Sequence, residues 1–426
     1  MRVALAMALL SIALPAWSQT EPPPLADDEG LPRIVVGPQG FSLMRVAVAP
    51  TRCEGGGAVC KEVHAQLNRN LQVALYFELL KPETFIPAAA EAPLGETNYP
   101  DWNSVGARHL IKSEVSGSGP YTVELRLHDV LDGKVLPVKG QSHTGLSAKA
   151  VHGAVDEFLN STVEALTGKK GLFGSRLVFA IKTGKQTRGV GIVEMDGADQ
   201  GGIVGGDTIS MLPSFAGGGV LYTSFRDGKP DLYIGKKKLT NNPHHYRGAS
   251  MGPSGTIAAA LSKGSGTDIY LLDGGGNPTT RLTNGEGQNV SPTWSPDGGK
   301  LAFVSDRSGG PQVYVMSAGG GGATRVTMAG GYNSTPSWGS NGLIAFAAMT
   351  GSGSDILTTD EGGNMQRITQ NQGTNTDPCW SPDAQYLAFV SAREGGKRIY
   401  ISTPDGRYQF PITEKSGGYS TPRWGK

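Results

Sequence analysis

The chain has 426 residues and a formal net charge of +1, and its 63 glycines are about twice the roughly 7% share usual in globular proteins. That length exceeds one ordinary core and predicts two or more domains. The near-neutral charge leaves no basic footprint for nucleic acid or an anionic membrane surface, so binding should come from shape and local polar groups.

The first residues, MRVALAMALLSIALPAWSQT, read as a signal peptide over 1–18. One Arg leads an apolar run from Val3 to Leu14, and Ala16-Trp17-Ser18 supplies a small-x-small cleavage pattern. The run is too short to span a bilayer, so an exported, soluble mature protein is expected. Residues 19–43 follow as a flexible arm, acidic and proline-rich in EPPPLADDEG. Within it Arg33, Ile34, Val35 and Val36 form a short apolar segment suited to an edge strand or to strand addition with a partner.

Residues 44–168 predict a small α/β domain with a mixed sheet and two or three helices. LMRVAVAP is strand-like, and CKEVHAQLNRNLQVALYFELL carries helical spacing through Val63, Leu67, Leu71 and Leu75. DWNSVGARHLIKSEVSG reads as a short helix feeding a strand, and YTVELRLHDVLDGKVL as a hairpin around Leu131-Asp132-Gly133. SAKAVHGAVDEFLNSTVEALTG is an amphipathic helix stopped by Gly168. Cys53 and Cys60 flank EGGGAV, close enough for a small disulfide loop in an oxidising compartment; two free thiols are the alternative.

Residues 169–426 repeat. SPTWSPDGGKLAFVS, TPSWGSNGLIAFAA and DPCWSPDAQYLAFVS recur, TPRWGK closes the chain, and Trp294, Trp338, Trp380 and Trp424 stand 44, 42 and 44 residues apart. Each full unit continues with two more strands, and weaker copies lie upstream, which predicts a six-bladed, all-β propeller. STPRW should supply the innermost strand of the blade begun at Leu177 and so close the ring. Ser-Pro-Asp-Gly suits a type I turn, and the repeated Trp should fill the wedge between blades.

The residues just before the repeated proline vary between copies and should gather at the mouth of the channel. They place His245 and Tyr246 (NPHHYRG), Asn289 and Val290 (GEGQNVS), Tyr332 and Asn333 (GGYNST), Asn375 and Thr376 (QGTNTD) and Tyr419 (SGGYST) on one face. Aromatic and amide side chains at loop tips suit protein recognition. Gly248-Ala249-Ser250-Met251-Gly252 matches the G-x-S-x-G elbow but lies in an all-β unit, not the strand-turn-helix that the elbow needs. No phosphate loop, calcium loop or zinc pattern is present, so no cofactor, metal or catalytic residue is expected.

The exported α/β domain, the six blades and the SPxWSPDGxxLAFxS units together resemble the TolB family of the Tol-Pal envelope system. TGKKGLFGSRLVFAIKTG at the domain junction and GGPQVYVM extend the likeness. The resemblance implies a non-enzymatic, monomeric periplasmic adaptor that supports outer-membrane integrity and constriction during cell division. It implies a peptidoglycan-associated lipoprotein on the pre-proline face, and TolA, an inner-membrane-anchored protein, on the arm around LPRIVVGP. By position His245 matches a contact histidine of the family, and Val290 stands where the family often has a small polar residue. The competing readings are a periplasmic hydrolase or lyase with a channel site, and a small-molecule sensor using the channel mouth.

Overall fold

A computed structural model describes residues 42–425 apart from 56, 265, 286 and 416; the expected signal peptide and the arm segment Arg33 to Val36 lie outside the described residues. The α/β domain runs β1 (Met44–Val48), β2 (Arg52–Glu54), α1 (Gly57–Val73), β3 (Phe77–Leu79), α2 (Pro87–Ala90) and α3 (Tyr99–Ser104). It continues with β4 (His109–Ser116), β5 (Tyr121–Asp129), β6 (Lys134–Leu136), β7 (Ser142–Leu146) and α4 (Ala148–Thr167). The sheet order is β3-β1-β4-β5-β6, parallel about β1 and antiparallel between β4 and β5, so it is mixed.

Helices α1 and α4 bury Val63, Leu67 and Leu71 with Val151, Val155 and Leu159 in one core. The Ser147 side chain caps α4 by accepting from the Ala150 N–H, and Gly168 ends it at φ 71°, a left-handed value that glycine takes without a Cβ clash. The helical spacing misleads at Leu75, because α1 stops at Val73. Leu75 takes a left-handed φ of 59° in the turn to β3 and still buries its side chain in the core. Its place in the apolar rhythm comes from burial and not from the helix. Cys53 and Cys60 form a disulfide joining β2 to the first turn of α1.

The second domain is a ring of six four-stranded antiparallel blades among the described residues. In the fourth blade the strands, from channel to rim, are Asn289–Trp294, Lys300–Ser305, Gln312–Ser317 and Ala323–Arg325. The first blade is completed from both ends of the domain: Tyr419–Gly425 pairs with Arg176–Lys182 as its innermost strand. Closure with the last strand leaves no open innermost edge between first and last blades.

Each joint has a physical rationale. The Gly298 N–H bonds the Ser295 carbonyl at 2.9 Å, and Gly298 leaves the turn at φ 74°. Trp294 Nε1 then donates to the Ser250 carbonyl of the preceding blade at 3.1 Å. A Cβ built on Gly252 would meet the Trp294 indole at 2.8 Å, and one on Gly339 would meet Trp380 at 2.9 Å. The indole thus lies on a bare backbone of the previous blade. Ser250, the serine of the G-x-S-x-G match, donates to the Pro292 carbonyl at 2.8 Å within a strand, so it stands in a blade joint.

Candidate functional site

The strand directions give the ring two different ends. Innermost strands start at Ser210, His245, Asn289, Asn333, Asn375 and Tyr419, and finish at or next to the joint residue, an aromatic in every blade but the third, where it is Met251. Antiparallel pairing then returns the second strand to the starting end, so the turns after Ser224, Ser305, Thr350 and Ser391 share that end with the pre-proline loops.

The finishing end carries the α/β domain. The Tyr386 hydroxyl donates to the Ala74 carbonyl at 2.9 Å, the Tyr76 hydroxyl donates to Gln385 Oε1 at 3.3 Å, and the Tyr76 and Tyr386 rings meet edge to face at 6.0 Å. Beside them His152 of α4 sits 3.1 Å from Glu194, 3.6 Å from Asp156 and 3.8 Å from Asp196, the last two acids also meeting Gln66, Asn70 and Arg69 of α1. The hydrogen bond to Glu194, aided by Asp156 and Asp196, holds the His152 pKa up at about 9. Burial, opposed by His152 and reinforced by Asp196, lifts Asp156 to about 7, and the His152 contact holds Glu194 below its usual range.

His152, Asp156 and Asp196 offer ligand atoms within 4.8 Å of one another, as a metal centre would. The charges argue otherwise. An imidazolium and the guanidiniums of Arg69 and Arg176 already face the three carboxylates, so the set is an ion network joining two domains.

The starting end is the candidate interaction site. His245 is exposed there, and Val290 and Thr376 are half-buried. Tyr332 is 42% exposed beside Met349, 54% exposed, the Met349 N–H bonding the Tyr332 carbonyl at 2.9 Å. Phe225 is exposed at the equivalent step of the second blade, its N–H on the Ile209 carbonyl. Between the second and third blades a groove of about 660 Å³ is lined by Met211, Leu212, Phe225, Pro230, His245 and Arg247 among others.

Five expected contact residues point inward instead. Tyr246, Asn289, Asn333, Asn375 and Tyr419 are buried and present no side chain to a partner. The reason is a strap between blades. In the third blade Thr283 Oγ1 accepts from the Ile269 N–H at 2.9 Å and donates to Asp268 Oδ1 at 2.7 Å. Asn289, the first residue of the next blade, donates to the same carboxylate oxygen at 3.1 Å. Gln312, Thr327 and Asn333 repeat the pattern, as do Asp355, Thr369 and Asn375. Tyr246 bonds Asn242 and the Gly276 carbonyl in the equivalent place, and the Tyr419 hydroxyl accepts from Gln200.

Two features were missed in the sequence. Phe225 follows the second strand of its blade and Met349 stands near the end of its own, so their place on this end appears only once the antiparallel return is known. Arg226, Arg307 and Arg393 each stack on a blade tyrosine, 4.2 to 5.0 Å from the ring centre of Tyr233, Tyr314 or Tyr400. Arg307 and Arg393 also donate to Asn289 and Asn375, so these cations brace the rim. The recurring "S-x-R" after the second strand was the available signal.

Comparison with known proteins agrees with this architecture. The family model of the TolB amino-terminal domain matches residues 32–136, and that of the TolB beta propeller domain matches 163–426. The Tol-Pal system protein TolB of Anaeromyxobacter dehalogenans is 34% identical over 296 residues, 67% of this chain and 67% of that one. The protein TolB homolog of Chlorobium chlorochromatii is 32% identical over 257 residues, 58% of this chain and 57% of that one. The crystal structure of TolB from Acinetobacter baumannii superposes with a TM-score of 0.75 at 21% identity, covering 90% of this chain and 96% of that one, a likeness of fold. No helix among the described residues is long and apolar enough to cross a membrane.

Proposed function

The chain belongs to the TolB family of Tol-Pal system proteins, and from that premise we propose that it is a non-enzymatic periplasmic adaptor. It binds a peptidoglycan-associated lipoprotein on the free end of the propeller and a TolA-like inner-membrane protein through the N-terminal arm. In that role it supports outer-membrane integrity and constriction during division.

The observation that carries the reading is the asymmetry of the ring. One end is covered by the α/β domain, while the other exposes Phe225 with His245 along the groove, and Tyr332 with Met349 on the fifth blade. Exposed aromatics and methionine on a rigid support favour docking, because little ordering entropy is lost on binding. The straps and stacked arginines keep that support rigid.

Capture of the lipoprotein from envelope extracts by the purified full-length chain tests the reading, with His245→Ala and Tyr332→Ala as comparisons. Capture by the unaltered chain that both substitutions weaken supports the free end as the docking site. No lipoprotein captured, or equal capture by all three proteins, counts against it.

A further inference from the structure

We infer that the propeller channel contains a binding site for a small oxyanion of the carboxylate or phosphate class, held by Arg247 and Arg423. A cavity of about 290 Å³ lies inside the ring, walled by innermost strands of the first four blades. One water needs roughly 10–15 Å³ by this measure, so a multi-atom anion fits.

The wall has the composition that an anion requires. Arg247 of the third blade and Arg423 of the closing strand both line it, with hydroxyls from Ser214, Ser250, Ser291 and Thr421, and no Asp or Glu is among the lining residues. The closing-strand hydroxyl, Thr421 Oγ1, is buried without a hydrogen-bond partner.

The two guanidiniums differ from those of the blade ion pairs. Elsewhere in the propeller Arg176, Arg281, Arg367 and Arg398 each meet a carboxylate at 2.5 to 3.0 Å. Arg423 instead spends Nη1 on the neighbouring Pro422 carbonyl at 2.8 Å. Among the described residues neither Arg247 nor Arg423 has a carboxylate at ion-pair distance. The nearest acid in the ring of innermost strands, Asp377, accepts from the Thr421 N–H at 3.2 Å and lies outside the cavity wall.

A carboxylate or phosphate in this cavity accepts charge-assisted hydrogen bonds in fork geometry from the guanidiniums, and the unpartnered Thr421 hydroxyl supplies a further donor, those of Ser214 and Ser250 being spent on the Ala249 and Pro292 carbonyls. A cationic solute is repelled by the guanidiniums, and a neutral one forms only weaker hydrogen bonds to them. Arg247 also lines the groove on the free end, so the site lies within reach of a solute arriving from that side.

Isothermal titration of the full chain in low-salt buffer tests the inference, using citrate and inorganic phosphate, with a short acetylated glutamate-rich peptide as a separate arm. Saturable one-site binding of at least one free anion is expected. Arg247→Gln and Arg423→Gln should each lower its affinity about tenfold or more, and the double variant should abolish it. Circular dichroism melting establishes that the variants are folded, and the exposed Arg247→Gln keeps the test valid if Arg423→Gln is unstable. Absence of saturable binding by both anions, affinity unchanged in both variants, or binding of the peptide alone would overturn the inference.

Discussion

Replacing Asn289 by Ala separates a strap from a contact residue. The side chain is fully buried; it donates to Asp268 Oδ1 at 3.1 Å and the Thr267 carbonyl at 3.3 Å, and accepts from Arg307 Nη2 at 2.8 Å. Two of these bonds involve a charged partner, worth roughly 1.5–3 kcal/mol each, and the neutral one about 1 kcal/mol. Asp268 keeps Thr283, Gly285 and Arg281 as donors, which limits the damage. The expected loss is about 2–4 kcal/mol, or roughly 4–16 °C in melting temperature at 2–4 °C per kcal/mol. The assay is thermal unfolding by circular dichroism, paired with lipoprotein capture at a temperature where the variant is folded. Tyr332→Ala, at an exposed site, should change stability by about 0.5 kcal/mol or less. A melting temperature within 2 °C or so of the parent, together with lost capture, would refute the strap and restore Asn289 as a contact.

Three other consequences follow from the structure. His152 has its folded pKa raised, so its network stabilises fully below about pH 6.5 and that stability is lost as pH rises through about 9. Asp156, raised to about 7, acts in the same direction, and the unfolding free energy from urea titration should fall by about 4–5 kcal/mol between pH 6 and 9.5. His152→Gln should flatten that slope, and an unchanged slope would remove His152 from the account. Gly339→Val puts branched carbon where Trp380 already stands 2.9 Å from a built Cβ, so a loss of about 1–3 kcal/mol is expected in chemical unfolding. Tyr386→Phe removes the hydroxyl that bonds the Ala74 carbonyl, and should lower stability by about 1 kcal/mol; an unaltered unfolding midpoint would contradict that contact.

The propeller was legible because one large residue recurs at one step of every later blade. A tryptophan at a period of 42 to 44 residues, followed by turn-forming sequences such as Ser-Pro-Asp-Gly, Gly-Ser-Asn-Gly and Ser-Pro-Asp-Ala, reports a repeated joint. Closure by the final strand was legible for a related reason, since TPRW stops where a partner strand is missing from the first blade. The burial of Asn289 was not. A polar residue before a proline reads as rim, and its true partners, Asp268 and the Thr267 carbonyl, lie in the preceding blade.

The interdomain network was hidden by distance along the chain. Gln66 reaches Asp156 across 90 residues and His152 reaches Glu194 across 42, and no short motif encodes either pairing. Leu75 failed for the opposite reason: its spacing fits a helix, yet burial alone explains it.

The central claim is that the end of the propeller opposite the α/β domain receives the partner. Hydrogen–deuterium exchange of the full chain, with and without the soluble domain of a peptidoglycan-associated lipoprotein, tests it most directly. The account predicts new protection in the segments holding Phe225, His245, Tyr332 and Met349, and none in the joint turns at Ser295 to Gly298 and Ser381 to Tyr386. Protection concentrated on those joint turns, with the segments around Tyr332 and Met349 unchanged, would contradict it.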